Sequence, residues 1–236
     1  VQQQLKTIIS TENSGKLTSL VKEYLSLGWV VYKNNSDHSI ELSFTKIDEA
    51  KLKFHQNGLM KIYSRIKKNG VKHGVFISFY ESGNKQEEKY FNNGVQDGKF
   101  SVWNESDSLI QKGEYKNGHE DGLWIDYFYN GKKRYEGIWK TGNKNGLFQW
   151  WYSNNELKEK GGFINGQKMG KWNTWYDTKQ NKETILYKNG VPHGKVKIWH
   201  PNGKLSLTGG YQNGKKEGVW TKYYPTGETQ EEKKYE

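Results

Sequence analysis

At 236 residues, with a formal net charge of +11 and a pI near 9.4, the chain is long enough for one or two domains and basic enough to favour acidic partners. Only 33% of its residues are hydrophobic while 15% are aromatic, including 10 Trp and 16 Tyr, so burial has to come from rings rather than from a compact aliphatic core. There is no Cys, which excludes a disulfide framework and thiolate chemistry, and no apolar run approaches membrane-spanning length.

Residues 1–15 are polar, with Leu5, Ile8 and Ile9 placed to start a short helix. Leu17, Leu20, Val21, Tyr24 and Leu25 recur at helical spacing and Gly28 follows as a stop, which predicts one amphipathic helix of about ten residues. Trp29 to Tyr32 reads as a strand, Asn34-Asn35 as a turn and Ile40 to Phe44 as a second strand. Residues 1–50 are therefore expected to form a small α+β cap over a sheet end, or else a separate docking module. The chain begins at Val1 rather than Met and shows no signal peptide, which leans the expectation toward a processed, exported chain over a cytoplasmic one.

A repeat occupies residues 51–236. Its first copy, 51–69, is degenerate: Phe54-His55-Gln56-Asn57-Gly58 matches Trp199-His200-Pro201-Asn202-Gly203, with one extra residue before Gly70. Seven regular copies follow, each counted from a zero glycine at Gly70, Gly94, Gly118, Gly142, Gly166, Gly190 and Gly214, with a second glycine at +4. Asn precedes the zero glycine in six of them, the strongest short-range hairpin signal, and Thr141-Gly142 is the exception. A second turn falls at +12 and +13, as in Ser82-Gly83, Asn130-Gly131, Asn202-Gly203 and Thr226-Gly227, while Thr178-Lys179 predicts an irregular loop. The last copy stops at Glu236, so its final strand is either an open edge or followed by more chain.

Turns so centred make +6 face +19, and +21 face +4 of the next copy. Position +6 is aromatic except at Val196, and +19 is Gly113, Gly137, Gly161 and Gly209 in four copies. A ring laid over a cross-strand glycine covers bare backbone, and the glycine makes room for it. By strand alternation +4, +6, +10, +19 and +21 share the core face. The fold class is all-β: an elongated, single-layer antiparallel β-hairpin repeat of seven units with twisted, coiled strands, its fourteen strands spanning roughly 65–70 Å.

Position +9 points the other way and is aromatic in every copy: Phe79, Trp103, Tyr127, Trp151, Trp175, Trp199 and Tyr223. Two readings stand for this row. It is a partner-binding surface, or it is covered by neighbouring stems and cations such as Arg134, Lys158 and Lys182. The six histidines, His38, His55, His73, His119, His193 and His200, show no metal-ligand spacing, and His73 and His193 at +3 read as turn residues. No phosphate-cradling loop, paired general acid and base or nucleophile elbow is present, so no cofactor, metal or catalytic residue is expected.

Tyr115-Lys116-Asn117-Gly118-His119-Glu120-Asp121-Gly122-Leu123-Trp124 and Tyr211-Gln212-Asn213-Gly214-Lys215-Lys216-Glu217-Gly218-Val219-Trp220 resemble the MORN-repeat variant family, over nearly four-fifths of the chain. The resemblance implies β-hairpins and no catalytic residues. It also implies a non-enzymatic protein–protein scaffold, either antitoxin or immunity-like or a structural part of a bacterial envelope or secretion complex. The partner is then another protein, of acidic character, along the sheet face or edge. The alternative is a lipid- or glycan-binding module at an anionic membrane or cell surface, with single-stranded nucleic acid ranked behind both.

Overall fold

A computed structural model describes residues 4–10, 29–36, 39–46, 50–56, 58–66 and 70–236. It divides the chain into two units, residues 1–98 with 103–107 and residues 99–102 with 108–236. No helix occurs among the described residues, and every pairing described below is antiparallel. The helix expected over Leu17 to Leu25 lies outside them.

In the first unit, β1 (Gln4–Ser10), β2 (Trp29–Ser36) and β3 (Ser39–Lys46) form a three-stranded sheet in the order β1-β3-β2. Leu5, Ile8 and Ile9 are thus in a strand, not a helix, paired with Phe44, Glu41 and Ile40. The β-branched run Thr7-Ile8-Ile9 is stiff at χ1 and suits the pleat. Asn34 and Asn35 do not turn either: they pair with Glu41 and Ile40, and the chain reverses only after Ser36. β4 (Ala50–Phe54), β5 (Met60–Ile66), β6 (Lys72–Phe79) and β7 (Lys85–Asn92) form successive hairpins. The degenerate copy makes the same turn as the copy it matches: Gly58 N–H donates to the His55 carbonyl at 3.0 Å, as Gly203 does to His200 at 2.9 Å. β8 (Val95–Trp103) contributes residues to both units.

The second unit continues with β9 (Leu109–Lys116), β10 (His119–Tyr127), β11 (Lys133–Lys140), β12 (Asn143–Trp151), β13 (Leu157–Ile164), β14 (Gln167–Trp175), β15 (Asn181–Lys188), β16 (Val191–Trp199), β17 (Leu205–Gln212), β18 (Lys215–Tyr223) and β19 (Thr229–Tyr235). These pair in chain order as one single-layer sheet. At the first turn Asn117 has φ 50° and Gly118 φ 82°, the two left-handed positions of a type I′ turn. The second turn is one residue longer than a two-residue reversal. Gly131 N–H donates to the Phe128 carbonyl at 2.9 Å, and Phe128 N–H to the Lys132 carbonyl at 2.8 Å. Its left-handed residue is +13, and Lys179 takes that role with φ 74°. The same two bonds close the turn there, at 3.0 and 2.8 Å, so Thr178-Lys179 is regular, not an irregular loop. Flanking strands impose the geometry that the side chain does not favour.

The register confirms that +6 faces +19, as in Trp124 opposite Gly137 and Phe148 opposite Gly161. Position +21 faces +4 of its own copy, not of the next: Trp139 pairs with Gly122 and Phe163 with Gly146. Toward the next copy a bulge intervenes, and Trp139 pairs with Lys144 at +2. The +4 glycine sits in that bulge with positive φ, 75° at Gly122. At Gly122, Gly170 and Gly218 nothing lies within 4 Å of the position a Cβ would take, and at Gly98, Gly146 and Gly194 the nearest side chains are Tyr90, Ile138 and Leu186 at 3.1–3.4 Å. The +4 glycine thus supplies a backbone conformation and not space for the +21 ring.

The space is made at +19, and the ring that fills it belongs to the following copy. A Cβ on Gly161 would lie 2.1 Å from Trp172, and one on Gly209 2.3 Å from Trp220. Each of these indoles donates its N–H to the next carbonyl, Trp172 to Gly162 at 3.2 Å and Trp220 to Gly210 at 3.1 Å. The core of this unit is the resulting row Phe148, Trp172, Val196 and Trp220, with Phe163 and Ile185 between. Most ring contacts run edge to face, such as Phe163 with Trp172 at 5.0 Å and Tyr211 with Trp220 at 5.0 Å.

Candidate functional site

By alternation the +9 rings face away from the buried +6 row. All seven are half-buried: Phe79 and Trp103 in the first unit, Tyr127, Trp151, Trp175, Trp199 and Tyr223 in the second. No two of them stack together among the described residues. Successive copies are two strands apart, about 9.6 Å at ordinary strand spacing. On the same face Leu123, Ile138 and Leu147 are 54%, 45% and 45% exposed on adjacent strands.

Cations do approach two of these rings, but not the expected ones. Lys85 lies 4.8 Å from the Trp103 ring and Lys133 5.7 Å from Trp151, each also paired with a glutamate, Glu88 at 2.6 Å and Glu136 at 2.7 Å. Arg134 instead pairs with Asp126 at 2.8 Å, while Lys158 and Lys182 lie over Tyr152 and Tyr176. A register shift after +8 causes this, because it sets Tyr127 opposite Lys133 rather than Arg134.

The core face carries a second candidate that the sequence reading passed over. Between β9 and β13 a groove of roughly 640 Å³ is lined by Tyr135, Trp139 and Trp150, by the +9 ring Trp151 at its border with the other face, and by charged groups including Asp126, Arg134 and Lys144. Asp126 accepts from Gln111 at 3.0 Å as well as from Arg134. Tyr135 accepts from the Trp139 indole N–H at 2.6 Å. Burial, with Asp126 and Glu120 nearby, pushes the Tyr135 hydroxyl up to about 12, against the lowering effect of the Trp139 bond.

Lys144 sets this groove apart. Its ammonium lies 5.1–5.7 Å from four rings, Trp139, Phe148, Trp150 and Phe163, with no ion pair among the described residues. The same position one copy later, Lys168, pairs with Glu159 at 3.3 Å. The difference is the residue at +17: Glu87, Glu159, Glu183 and Glu231 in four copies, but Tyr135 beside Lys144. Trp150 likewise stands at +8, where the other copies hold Ser78, Val102, Asp126, Thr174, Ile198 and Lys222. Reading the copies column by column exposes both departures. A search for the uniform +9 row does not.

His73 and His193 lie in strands β6 and β16 rather than in turns, and no three His, Asp or Glu side chains among the described residues are grouped to hold a metal.

A tandem of β-hairpins stacked edge to edge, with rings on both faces, defines an all-β repeat protein. The MORN repeat variant model matches residues 72–93, 96–117, 144–165, 192–213 and 216–236, and the chain belongs to that family of binding repeats. The two units between the matches, in β10–β11 and β14–β15, keep the same strand lengths and register. No curated protein matches the chain.

Proposed function

We propose that the chain is a non-enzymatic scaffold that binds another protein along the face bearing the +9 rings. Repeats of this family are generally associated with binding to proteins or membranes. The observation that carries the reading is the row itself: Tyr127, Trp151, Trp175, Trp199 and Tyr223 recur at equal spacing, half-buried and unstacked on one another. Large rings anchored at one edge and open at the other are the side chains that dominate protein interfaces. Leu123, Ile138 and Leu147 add exposed apolar area beside them.

The net charge of +11 favours a partner with acidic groups around its apolar contacts. An antitoxin or immunity role and a place in an envelope or secretion complex are two versions of this reading. They differ in whether the captured protein is a toxin or a machine component. The test is quantitative capture from extracts of the source cells by the full chain and by a Trp175→Ala, Trp199→Ala double variant whose melting temperature is checked first. The reading requires a protein enriched by the native chain and lost with the variant. Identical capture by both removes the row as a binding surface.

A further inference from the structure

We propose that the groove on the core face is a second site, built for a short acidic oligosaccharide. Its volume, roughly 640 Å³, falls in the range of small-ligand sites. Three features of its walls point to this class of ligand.

The first is a platform. Tyr135 and Trp150, both half-buried and both in the groove wall, meet at a shallow angle of 35°, with Trp139 beside them, whereas Phe148 and Trp172 are fully buried behind the wall and offer no surface. A shallow angle lets two ring faces act as one small surface. The C–H faces of pyranose rings pack on such surfaces.

The second is an ordered polar rim. Asp126 is held from both sides, by Gln111 at 3.0 Å and Arg134 at 2.8 Å. Planar carboxylate, amide and guanidinium groups fixed in this way match pairs of vicinal hydroxyls and need little reordering on binding.

The third is charge. Asp126 and Arg134 neutralise each other, leaving Lys144 and Lys158 against Glu120. Lys144 stands over the platform with no carboxylate partner, where the equivalent Lys168 has one. A sugar carboxylate seated on the rings completes the pair that Tyr135 denies it. A bare inorganic anion would satisfy Lys144 without using the platform, and a neutral sugar would use the platform without satisfying Lys144.

The full chain is titrated with trigalacturonate, with the neutral trisaccharide cellotriose, with a triglutamate peptide and with acetate and inorganic phosphate, following tryptophan fluorescence and calorimetry. The expected result is saturable binding of trigalacturonate, about tenfold or more tighter than cellotriose and the other ligands. Lys144→Met should bring trigalacturonate down to the affinity of cellotriose. Arg134→Ala, with its melting temperature checked first because it strands Asp126 at 14% exposure, should weaken both sugars. Tyr224→Ala, at an exposed ring outside both the groove and the +9 row, should change neither. Absence of saccharide binding, equal affinity for the acidic and neutral sugars, equal or tighter binding of the peptide or simple anions, or an acid preference that survives Lys144→Met would each overturn the proposal.

Discussion

A methyl group on Gly137 would sit 2.3 Å from Cδ1 of Phe148, a ring that belongs to the next repeat. Each +19 glycine is therefore a contact between copies, and its loss cannot be absorbed by rotating a side chain, because the ring is fully buried. Gly137→Ala should destabilise the chain by about 3 kcal/mol through overpacking. Gly170→Ala is the control: nothing lies within 4 Å of its Cβ position, but φ is +71°. That substitution should cost about 1–2 kcal/mol from backbone strain alone. Urea melts should rank the two variants in this order, and the reverse ranking would mean that the ring moves aside.

The chain already contains the converse arrangement. Ile185 replaces the +19 glycine in one copy, and the residue paired with it from the next copy is Val196, the one non-aromatic +6. Ile185→Gly alone should open a cavity costing about 2–4 kcal/mol, and Val196→Phe alone should overpack by about 1–3 kcal/mol. The double variant should lose less than the sum by at least about 1 kcal/mol, since it restores the Gly137–Phe148 pattern. Strict additivity in a double-mutant cycle would show that the glycine and the ring are not coupled.

Two turn residues hold backbone angles their side chains resist. Thr141 has φ 50° where the other turns have Asn, and Lys179 has φ 74° at a position held elsewhere by Gly, Asp or Asn. A β-branched residue in the left-handed region is the costlier of the two. Thr141→Asn and Lys179→Gly should each raise stability by about 0.5–1 kcal/mol, seen as upward shifts of about 1–4 °C in melting temperature. No shift in either would place the strain elsewhere.

These positions also mark what was legible in the sequence. Strand lengths, antiparallel pairing and the +6 to +19 register followed from two turns at fixed spacing, because pairing across a short hairpin leaves one arithmetic solution. The +21 pairing did not, since a bulge at the +4 glycine shifts the register by two residues where periodicity alone shows none. The same limit hid the true neighbours of the +9 rings, set by a shift after +8. β1 was missed because Leu5, Ile8 and Ile9 fit either helix or strand, and its partner β3 lies some 30 residues away. The core-face groove was hidden for another reason: it arises from departures from the repeat, at Tyr135 and Trp150, and a consensus averages departures away.

Adjacent copies are also tied at the second turn. Tyr80, Tyr152 and Tyr176 donate their hydroxyls to the carbonyls of Trp103, Trp175 and Trp199, at 2.9, 2.9 and 2.8 Å, and His200 makes the same link to Tyr223 at 2.9 Å. Tyr176→Phe should cost about 1 kcal/mol. His200→Tyr should be nearly neutral, because the tyrosines show that the longer group fits the same acceptor. Tyr224, exposed and without a side-chain hydrogen bond among the described residues, is the comparison, and Tyr224→Phe should leave the melt unchanged. Equal losses at Tyr176 and Tyr224 would mean that ring polarity, not the bond between copies, is being measured.

Tyr135 predicts how stability changes in alkali. Its hydroxyl is pushed from 10.0 to about 12 in the folded chain, chiefly by burial, so between those values the folded state binds the proton that the unfolded state has released. The stabilisation is therefore complete below pH 10 and is lost as pH rises toward 12. Tyr152 and Tyr187 are raised by burial too, so they add to the same fall. Tyr135→Phe leaves the Trp139 indole N–H without its 2.6 Å acceptor and should be less stable at neutral pH by about 1 kcal/mol. Its stability should nevertheless decline less between pH 9 and 11.5 than that of the native chain. A phenolate absorbance titration should show one late-ionising tyrosine fewer. Parallel declines in urea melts of the two proteins would assign the alkaline loss to other groups.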